Sequence, residues 1–264
     1  SDAAAMKAAI RPNTRMIMIE AVSNPTLRVA DVTGIAELAA AHGALLVVDN
    51  TFTTPAMFRP MEHGADIVIN SITKFLAGHS DVTLGYVAAR DPGLRTAIYD
   101  AAVTWGTTPS PFDCWLAERG LHTFDLRFEK AQATAAALAD ALAGRDGIRQ
   151  VIYPGRADHP HHNRAGALFG GQFGNMLSFE IEGGRDEVNS FVMNAGGIPF
   201  APTLGDVGCT LSHPASSSHR ALTTEGRAAL GISEGYFRLS VGIEPPELVL
   251  AELDAALAAV RGES

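Results

Sequence analysis

The chain has 264 residues, of which 47% are hydrophobic, and a formal net charge of −9. This length allows a substantial core in one large domain or two smaller ones. The acidic balance argues against non-specific nucleic-acid binding, which needs a basic surface. No apolar run reaches the roughly 18 residues of a membrane-spanning helix, and the N-terminus lacks the apolar core of a signal peptide. We therefore predict a cytoplasmic protein with no membrane or nucleic-acid partner.

The first third of the chain alternates between predicted strands and helices. The apolar run MIMIE at 16–20 is typical of a strand in a covered sheet. Apolar residues recur at helical spacing over 31–43, with Asp31 as the N-cap and Gly43 after the last turn. Further strands are predicted at 44–49, 65–69 and 84–89. This alternation indicates βαβ units, a mainly parallel sheet and an α/β fold.

The second half of the chain has a different pattern. Residues 111–144 are rich in Ala, Leu, Arg and Glu and predict helices, with Gly120 either separating two helices or kinking one. Beyond 145 the order of elements is that of an α+β domain. The predicted strands are 147–154, 175–182 and 236–242, and the predicted helices are 186–196 and 245–260. We divide the chain into a remainder of a large domain, 1–125, and a small C-terminal domain, 126–264.

Polar residues follow three of the predicted strands, at 20–24, 49–51 and 70–74. Because functional groups gather at the carboxyl ends of parallel strands, we expect all three sets to lie along one edge of the sheet. Asp49 either caps a turn or faces a cationic nitrogen of a ligand, and its own segment does not decide between the two. Lys74 is either a surface lysine or a partly desolvated one, which would lose proton affinity and become nucleophilic.

Together these residues meet the needs of one cofactor. Pyridoxal phosphate requires a lysine for its covalent link, an acid on its pyridinium nitrogen and groups that bind its phosphate. Lys74, Asp49 and the hydroxyls of Ser71 and Thr73 offer such a set. The spacing from Asp49 to Lys74 suits one βαβ unit, so both side chains can approach one ligand.

Three motifs resemble the Cys/Met-metabolism family of pyridoxal-phosphate enzymes. They are EAVSNPTLRVADV, AHGALLVVDNTFTTPAMFRPMEHGADIVINSITKFLAGHSDVTLG and RLSVGIE. The family holds cystathionine γ-synthase, cystathionine lyases, methionine γ-lyase and homoserine sulfhydrylases, and the resemblance covers essentially the whole chain. It implies a fold-type I transferase architecture, with a mainly parallel large-domain sheet followed by a smaller α+β domain.

The resemblance implies a cofactor-binding role for each matching residue. Lys74 in SITK would bind pyridoxal 5′-phosphate covalently and act as the main proton carrier. Asp49 in VVDNTF would keep the pyridinium nitrogen protonated, and Asn24 in SNPTL would lie near the phenolic oxygen of the ring. Ser71 and Thr73 would bind the phosphate.

The resemblance also implies two substrate-binding residues. Arg238 in RLSVG would bind the substrate α-carboxylate through its guanidinium fork. Without the resemblance, a cross-strand ion pair is the preferred interpretation of Arg238. Thr203 in FAPTLGD stands where the family usually has the Ser of an SLG segment, and it retains a hydroxyl. The family often has an acid a few residues further on, where this chain has Gly208.

The implied reaction is elimination or replacement at Cβ or Cγ of sulfur amino acids or homoserine esters. A γ-lyase is slightly favoured, with cystathionine γ-synthase and O-acylhomoserine sulfhydrylase as alternatives. Further hypotheses are an aminotransferase of the same fold type, whose lysine motif matches poorly, and an inactive fragment that acts only as an assembly module. The family's usual tetramer, built from dimers that share active sites, leads us to expect a homo-oligomer.

The family normally carries a long region before the point where this chain begins. That region would supply a ring-stacking aromatic residue, a phosphate-binding helix start, and a Tyr and an Arg donated to the neighbouring subunit. We expect the chain to lack these groups. A proteolytic product, a part of a longer protein and a naturally short gene product all remain open as explanations.

Other polar residues receive simpler interpretations. The segment DHPHHN at 158–163 is interpreted as a surface loop before a helix, and no metal site is predicted. His79 is assigned a structural hydrogen bond. Cys114 and Cys209 lie far apart, which argues against a disulfide scaffold and a four-cysteine metal site. Cys209 is predicted to be a small buried residue.

Overall fold

The computed structural model describes residues 2–263 and contains two sheets in that range. The first sheet has the strand order β1 (Met16–Glu20), β2 (Leu45–Asp49), β3 (Ile67–Ser71) and β4 (Gly85–Ala89). β1, β2 and β3 are parallel, and β4 pairs antiparallel with β3. The predicted mainly parallel sheet is therefore confirmed.

Helices of the first part pack on this sheet through α2 and α4. The helices are α1 (Ala3–Ala9), α2 (Val32–Ala41), α3 (Thr54–Met57) and α4 (Pro92–Trp105). The Asp31 side chain accepts a hydrogen bond from the Gly34 backbone, and Gly43 has a φ of 64°, so both predicted ends of α2 are confirmed. α4 has no counterpart among the predicted elements, and none of its side chains is fully buried.

The second sheet is antiparallel, with the strand order β5-β6-β8-β7. Its strands are β5 (Ile148–Ile152), β6 (Met176–Ile181), β7 (Thr210–Ser212) and β8 (Tyr236–Ser240). β7 is absent from the predicted elements, since three residues carry too little pattern to reveal a strand. The helices are α5 (Pro111–Leu121), α6 (Phe124–Leu142), α7 (His162–Phe169), α8 (Arg185–Asn194), α9 (Thr224–Ala229) and α10 (Pro246–Val260).

The helical segment predicted at 111–144 is divided after Leu121 rather than at Gly120. Gly120 stays inside the last turn of α5, where a Cβ atom would collide with the Ala77 carbonyl. Because Gly120 has no side chain, α5 can lie close to the turn after β3, and this glycine does not break the helix.

Two large hydrophobic cores lie on the two sheets, and α6 contributes to both, while a smaller cluster lies between the first sheet and α4. Phe124 and Phe128 belong to the core of the first sheet, whereas Leu138 and Leu142 belong to the core of the second. The division at 125/126 falls at the start of this shared helix and stays a prediction. Within residues 2–263, no helix is both long and apolar enough to span a bilayer.

Candidate active site

β1 and β2 end level with each other, and β3 extends two residues further in the same direction. Glu20 pairs with Asp49, and Asp49 pairs with Ile69 in the register of the parallel strands. The three polar segments that follow these strands therefore leave the same edge of the sheet, as predicted. The predicted site residues of the segments 20–24, 49–51 and 70–74 lie at this edge. Arg238 and Thr203 come from the second half of the chain and contact them there.

Lys74 lies in a turn directly after β3. Its backbone N–H donates to the Ser71 carbonyl at 3.2 Å, and its Nζ donates to Thr203 Oγ1 at 3.4 Å. The side chain is half-buried, and burial, followed by the charge of Arg238, lowers the pKa of Lys74. The structure thus supplies an amine that gives up its proton more readily than a surface lysine does.

Arg238 is a buried arginine of β8, 4% exposed. Its Nη1 donates to Asn24 Oδ1 at 2.8 Å, and its Nη2 donates to the Thr203 carbonyl at 2.7 Å. Its Nε has no hydrogen-bond partner among residues 2–263. Burial lowers the pKa of Arg238 to about 10.

No ion pair to an acid involves Arg238 within the described range, so the cross-strand ion pair considered from the sequence is not formed. Burying a charge without a counter-charge is unfavourable, and such an arrangement in a site is typical of a group that receives an anionic ligand.

Asn24 and Thr203 connect the reactive groups to each other. Asn24 accepts from Arg238 and has its own backbone N–H bound to Glu20 Oε2 at 3.0 Å. Thr203 bonds to Arg238 through its carbonyl and to Lys74 through its hydroxyl. Four of the predicted site residues therefore form one hydrogen-bonded chain.

The remaining predicted residues lie at the ends of β2 and β3. Asp49 Oδ1 accepts from the Thr51 backbone at 2.9 Å, so this carboxylate does cap a turn, while it also lines a cavity together with Ser71. Thr73 Oγ1 donates to the Leu84 carbonyl and accepts from the Leu84 N–H, at 3.1 and 2.9 Å. The Thr73 hydroxyl is therefore already engaged by the backbone.

The cavity beside Asp49 and Ser71 has a volume of about 880 Å³ and lies between β3, β4 and α4. This volume is in the range of ligand sites in proteins. The sequence did not single out Tyr86 and Arg95, which also line it. Only their positions in the chain could have indicated a role in the site: Tyr86 lies on β4, the strand after Lys74, and Arg95 lies in the first turn of α4.

The donor set fits pyridoxal phosphate and an amino-acid substrate. A lysine with a lowered pKa, a carboxylate at a strand end and a buried guanidinium with a free N–H are all present. These are the kinds of group that a covalently held pyridine cofactor and a substrate carboxylate require.

The histidines of 158–163 serve structural contacts. The loop precedes α7 as predicted, but His159 is only 7% exposed, so the loop does not lie wholly on the surface. His161 Nδ1 accepts from the Val29 backbone at 3.1 Å, and His162 Nδ1 bonds to the Pro154 carbonyl at 2.9 Å. His79 Nδ1 likewise bonds to a backbone carbonyl.

Comparison with known proteins shows the family of the chain. The family model described as Cys/Met metabolism PLP-dependent enzyme matches residues 1–258. The chain is 42% identical to cystathionine beta-lyase MetC of Bacillus subtilis over 94% of its own length and 63% of that protein. It is 40% identical to O-succinylhomoserine sulfhydrylase of Pseudomonas aeruginosa over 98% of its length and 64% of that protein.

A solved structure confirms the fold class. Cystathionine gamma synthase from Xanthomonas oryzae pv. oryzae, in complex with aminoacrylate and cysteine, superimposes with a TM-score of 0.90 at 44% identity. The match covers 95% of this chain and 64% of that one, so the chain spans about two thirds of the length of these relatives. The chain thus belongs to the Cys/Met metabolism family of enzymes that depend on pyridoxal phosphate.

Proposed function

We propose that the protein eliminates or replaces a substituent at Cβ or Cγ of a sulfur amino acid or a homoserine ester, with pyridoxal phosphate as cofactor. The convergence of Lys74 and Arg238 on Thr203, at 3.4 and 2.7 Å, carries this proposal. An amine that releases its proton readily lies beside a buried guanidinium that has no acidic partner among residues 2–263. This pair suits a substrate that presents a carboxylate and loses a proton from the adjacent carbon.

The residues at the strand ends would hold the cofactor. Lys74 would bind it covalently, Asp49 would face the pyridinium nitrogen and Asn24 would lie near the phenolic oxygen. When bound, the cofactor supplies an electron sink for the carbanion at the substrate α-carbon. Ser71 would be the stronger phosphate ligand of the two predicted hydroxyls, because Thr73 already exchanges hydrogen bonds with the backbone.

Arg238 and Thr203 would orient the substrate. The free Nε of Arg238 and its neighbouring Nη2 form one side of the guanidinium fork, which matches the two oxygens of a carboxylate. Thr203 holds the Lys74 amine on the same side of the site. Since the pKa of Lys74 is lowered, its neutral form is populated nearer to neutral pH and can accept the α-proton.

Relatives with four different activities in their names match this chain almost equally. A cystathionine β-lyase, a sulfhydrylase, a methionine γ-lyase and a cystathionine γ-synthase match this chain at 42, 40, 40 and 39% identity. We keep γ-elimination as the first proposal and γ-replacement as the alternative.

A homo-oligomer, dimer or tetramer, forms part of this proposal. Large apolar side chains are exposed on α4 and α5, namely Tyr99, Val103, Trp105, Phe112 and Trp115. Trp105 alone is 83% exposed, and an apolar surface of this kind favours an interface. Sedimentation velocity of the wild type and of Trp105→Asp tests whether this surface is an interface. A wild type that sediments as a monomer, as the variant does, would overturn the proposed oligomer. We also propose a cytoplasmic location, which cell fractionation tests.

Lys74→Ala tests the central assignment. We expect purified protein incubated with pyridoxal phosphate to show the visible absorbance of lysine-bound cofactor, and Lys74→Ala to lose it. Lys130→Ala is the matched control, because Lys130 is an exposed lysine of α6. Oxo-acid formation from methionine, cystathionine and an acylated homoserine then separates elimination from replacement. Equal spectra for Lys74→Ala and Lys130→Ala would overturn the assignment, and a wild type that stays colourless would favour an assembly module without activity.

A further inference from the structure

Arg127, in the first turns of α6, donates hydrogen bonds to the turn that follows Lys74. Its Nη1 donates to the Phe75 carbonyl at 2.9 Å, and its Nη2 donates to the Leu76 carbonyl at 3.1 Å. Nη2 also donates to the Gly120 carbonyl at 2.9 Å, in the last turn of α5. We call residues 72–78 the lysine turn. One half-buried guanidinium therefore links two consecutive carbonyls of this turn to the α5–α6 junction.

The lysine turn packs closely on its neighbours at two glycines. Gly78, with a φ of 74°, packs so closely on the guanidinium that a Cβ atom there would overlap it. A Cβ atom on Gly205 would lie 2.7 Å from the Phe75 nitrogen and 2.8 Å from the Lys74 Cα, so the segment 203–208 packs closely on the turn as well. The turn therefore packs against α5, α6 and the segment 203–208.

The same segment carries the partner of both reactive groups. The Val207 backbone N–H donates to the Gly78 carbonyl at 2.7 Å, which links the segment to the lysine turn. Thr203, four residues earlier, contacts Lys74 through its hydroxyl and Arg238 through its carbonyl. A shift of the lysine turn would therefore change the distance between the Lys74 amine and the Thr203 hydroxyl.

We propose that Arg127 is a positioning residue for the reaction: by holding the Phe75 and Leu76 carbonyls, it fixes the turn that places the Lys74 amine beside Thr203. Arg127 contacts no substrate or cofactor in this role, and the inference rests on the function proposed above for Lys74. Its side chain acts through the backbone, and a planar guanidinium with several fixed N–H donors suits three carbonyls of two segments.

Arg127→Met tests the proposal, because methionine keeps the length of the side chain and removes every donor. We expect kcat to fall about 10- to 100-fold with KM changed by less than about threefold, since a misplaced reacting group affects the chemical step more than binding. The second readout is the pH dependence of acylation of Lys74 in protein freed of cofactor, followed by peptide mass mapping, because only the free amine reacts. The apparent pKa of the Lys74 amine should rise towards that of an ordinary lysine as the turn relaxes towards water.

Arg156→Met is the matched control. Arg156 also contacts α6, through Asp140 at 3.2 Å and the Ala139 carbonyl at 3.5 Å, but far along the helix from the lysine turn. We expect it to leave the acylation profile of Lys74 unchanged. Arg127→Lys keeps the charge with a single donor group and should give an intermediate profile, and it replaces Arg127→Met in the test if that variant does not fold.

The outcomes separate this inference from the proposed function. A wild type without lysine-bound cofactor absorbance would count against the proposed function, whatever Arg127 does. A wild type with that absorbance and an Arg127→Met variant with unchanged kcat and an unchanged Lys74 profile would overturn the inference. Equal losses in Arg127→Met and Arg156→Met, with equal falls in melting temperature, would also overturn it, because the effect would then be general destabilisation.

Discussion

Replacing Arg238 with methionine separates the stability of the fold from the proposed recognition of a carboxylate. Burial lowers the pKa of Arg238 from 12.5 to about 10, which corresponds to roughly 3 kcal/mol of unfavourable charge burial at pH values below the lower one. The substitution removes that cost but leaves Asn24 Oδ1 unpaired, at about 1–3 kcal/mol, and leaves the Thr203 carbonyl with only the hydrogen bond from Thr210 Oγ1 at 3.4 Å. These contributions oppose one another, so we expect the free energy of unfolding to change by about 2 kcal/mol or less.

Activity should respond far more strongly than stability. A hydrogen bond to a charged group contributes about 1.5–3 kcal/mol, and a guanidinium fork makes two such bonds to a carboxylate. Loss of about 3–6 kcal/mol corresponds to a fall in kcat/KM of roughly 10²- to 10⁴-fold. The expected phenotype is a folded protein with a large defect in kcat/KM.

Urea unfolding and steady-state kinetics measure the two quantities on the same preparation. Arg149→Met is the control, since Arg149 lies on the same sheet but pairs with Glu180 at 3.0 Å and is more than half exposed. A loss of more than about 4 kcal/mol in the unfolding free energy of Arg238→Met would refute the idea that its charge is poorly compensated. A kcat/KM within about threefold of Arg149→Met would refute its role in recognition.

Two further predictions concern packing around the site. Burial lowers the pKa of His159 to about 4, so the folded chain resists protonation and should lose stability as the pH falls from about 6.5 towards 4. His159→Gln should flatten this dependence in urea titrations, and an equally steep slope would contradict it. Gly205→Ala should lower the unfolding free energy by about 1–3 kcal/mol, and the melting temperature with it. The φ of Gly205 is 83°, and a Cβ atom there would collide with the backbone of Lys74. Gly144→Ala, with a φ of 86° and open space around it, should cost less in the same thermal unfolding assay.

The parallel strands and the ends of α2 could be predicted because their signals are local. β2 and β3 are short apolar runs that are buried within the sheet, and Asp31 and Gly43 mark the ends of a helix by their own chemistry. β7 could not be predicted in the same way. Its three residues form a strand because they pair with β8, which lies more than twenty residues further along the chain.

The candidate site shows the same division between local and long-range information. Asp49 and Lys74 could be placed at one edge because parallel strands align their ends. The lack of an acidic partner for Arg238 in the described part of the chain could not be predicted, since it depends on which side chains the fold brings to β8. Arg127 left no signal at all, because its partners are backbone carbonyls about fifty residues earlier and carry no residue type.

Thr203 uses two chemically different parts of itself for its two contacts. Its carbonyl, which binds Arg238, belongs to the backbone and would be present with any residue type, whereas its hydroxyl, which binds Lys74, depends on the side chain. Residue replacement at this one position can therefore adjust the reactivity of the lysine while it leaves the anchoring of the arginine intact. The rate of proton transfer and the recognition of a carboxylate therefore depend on separable parts of one residue.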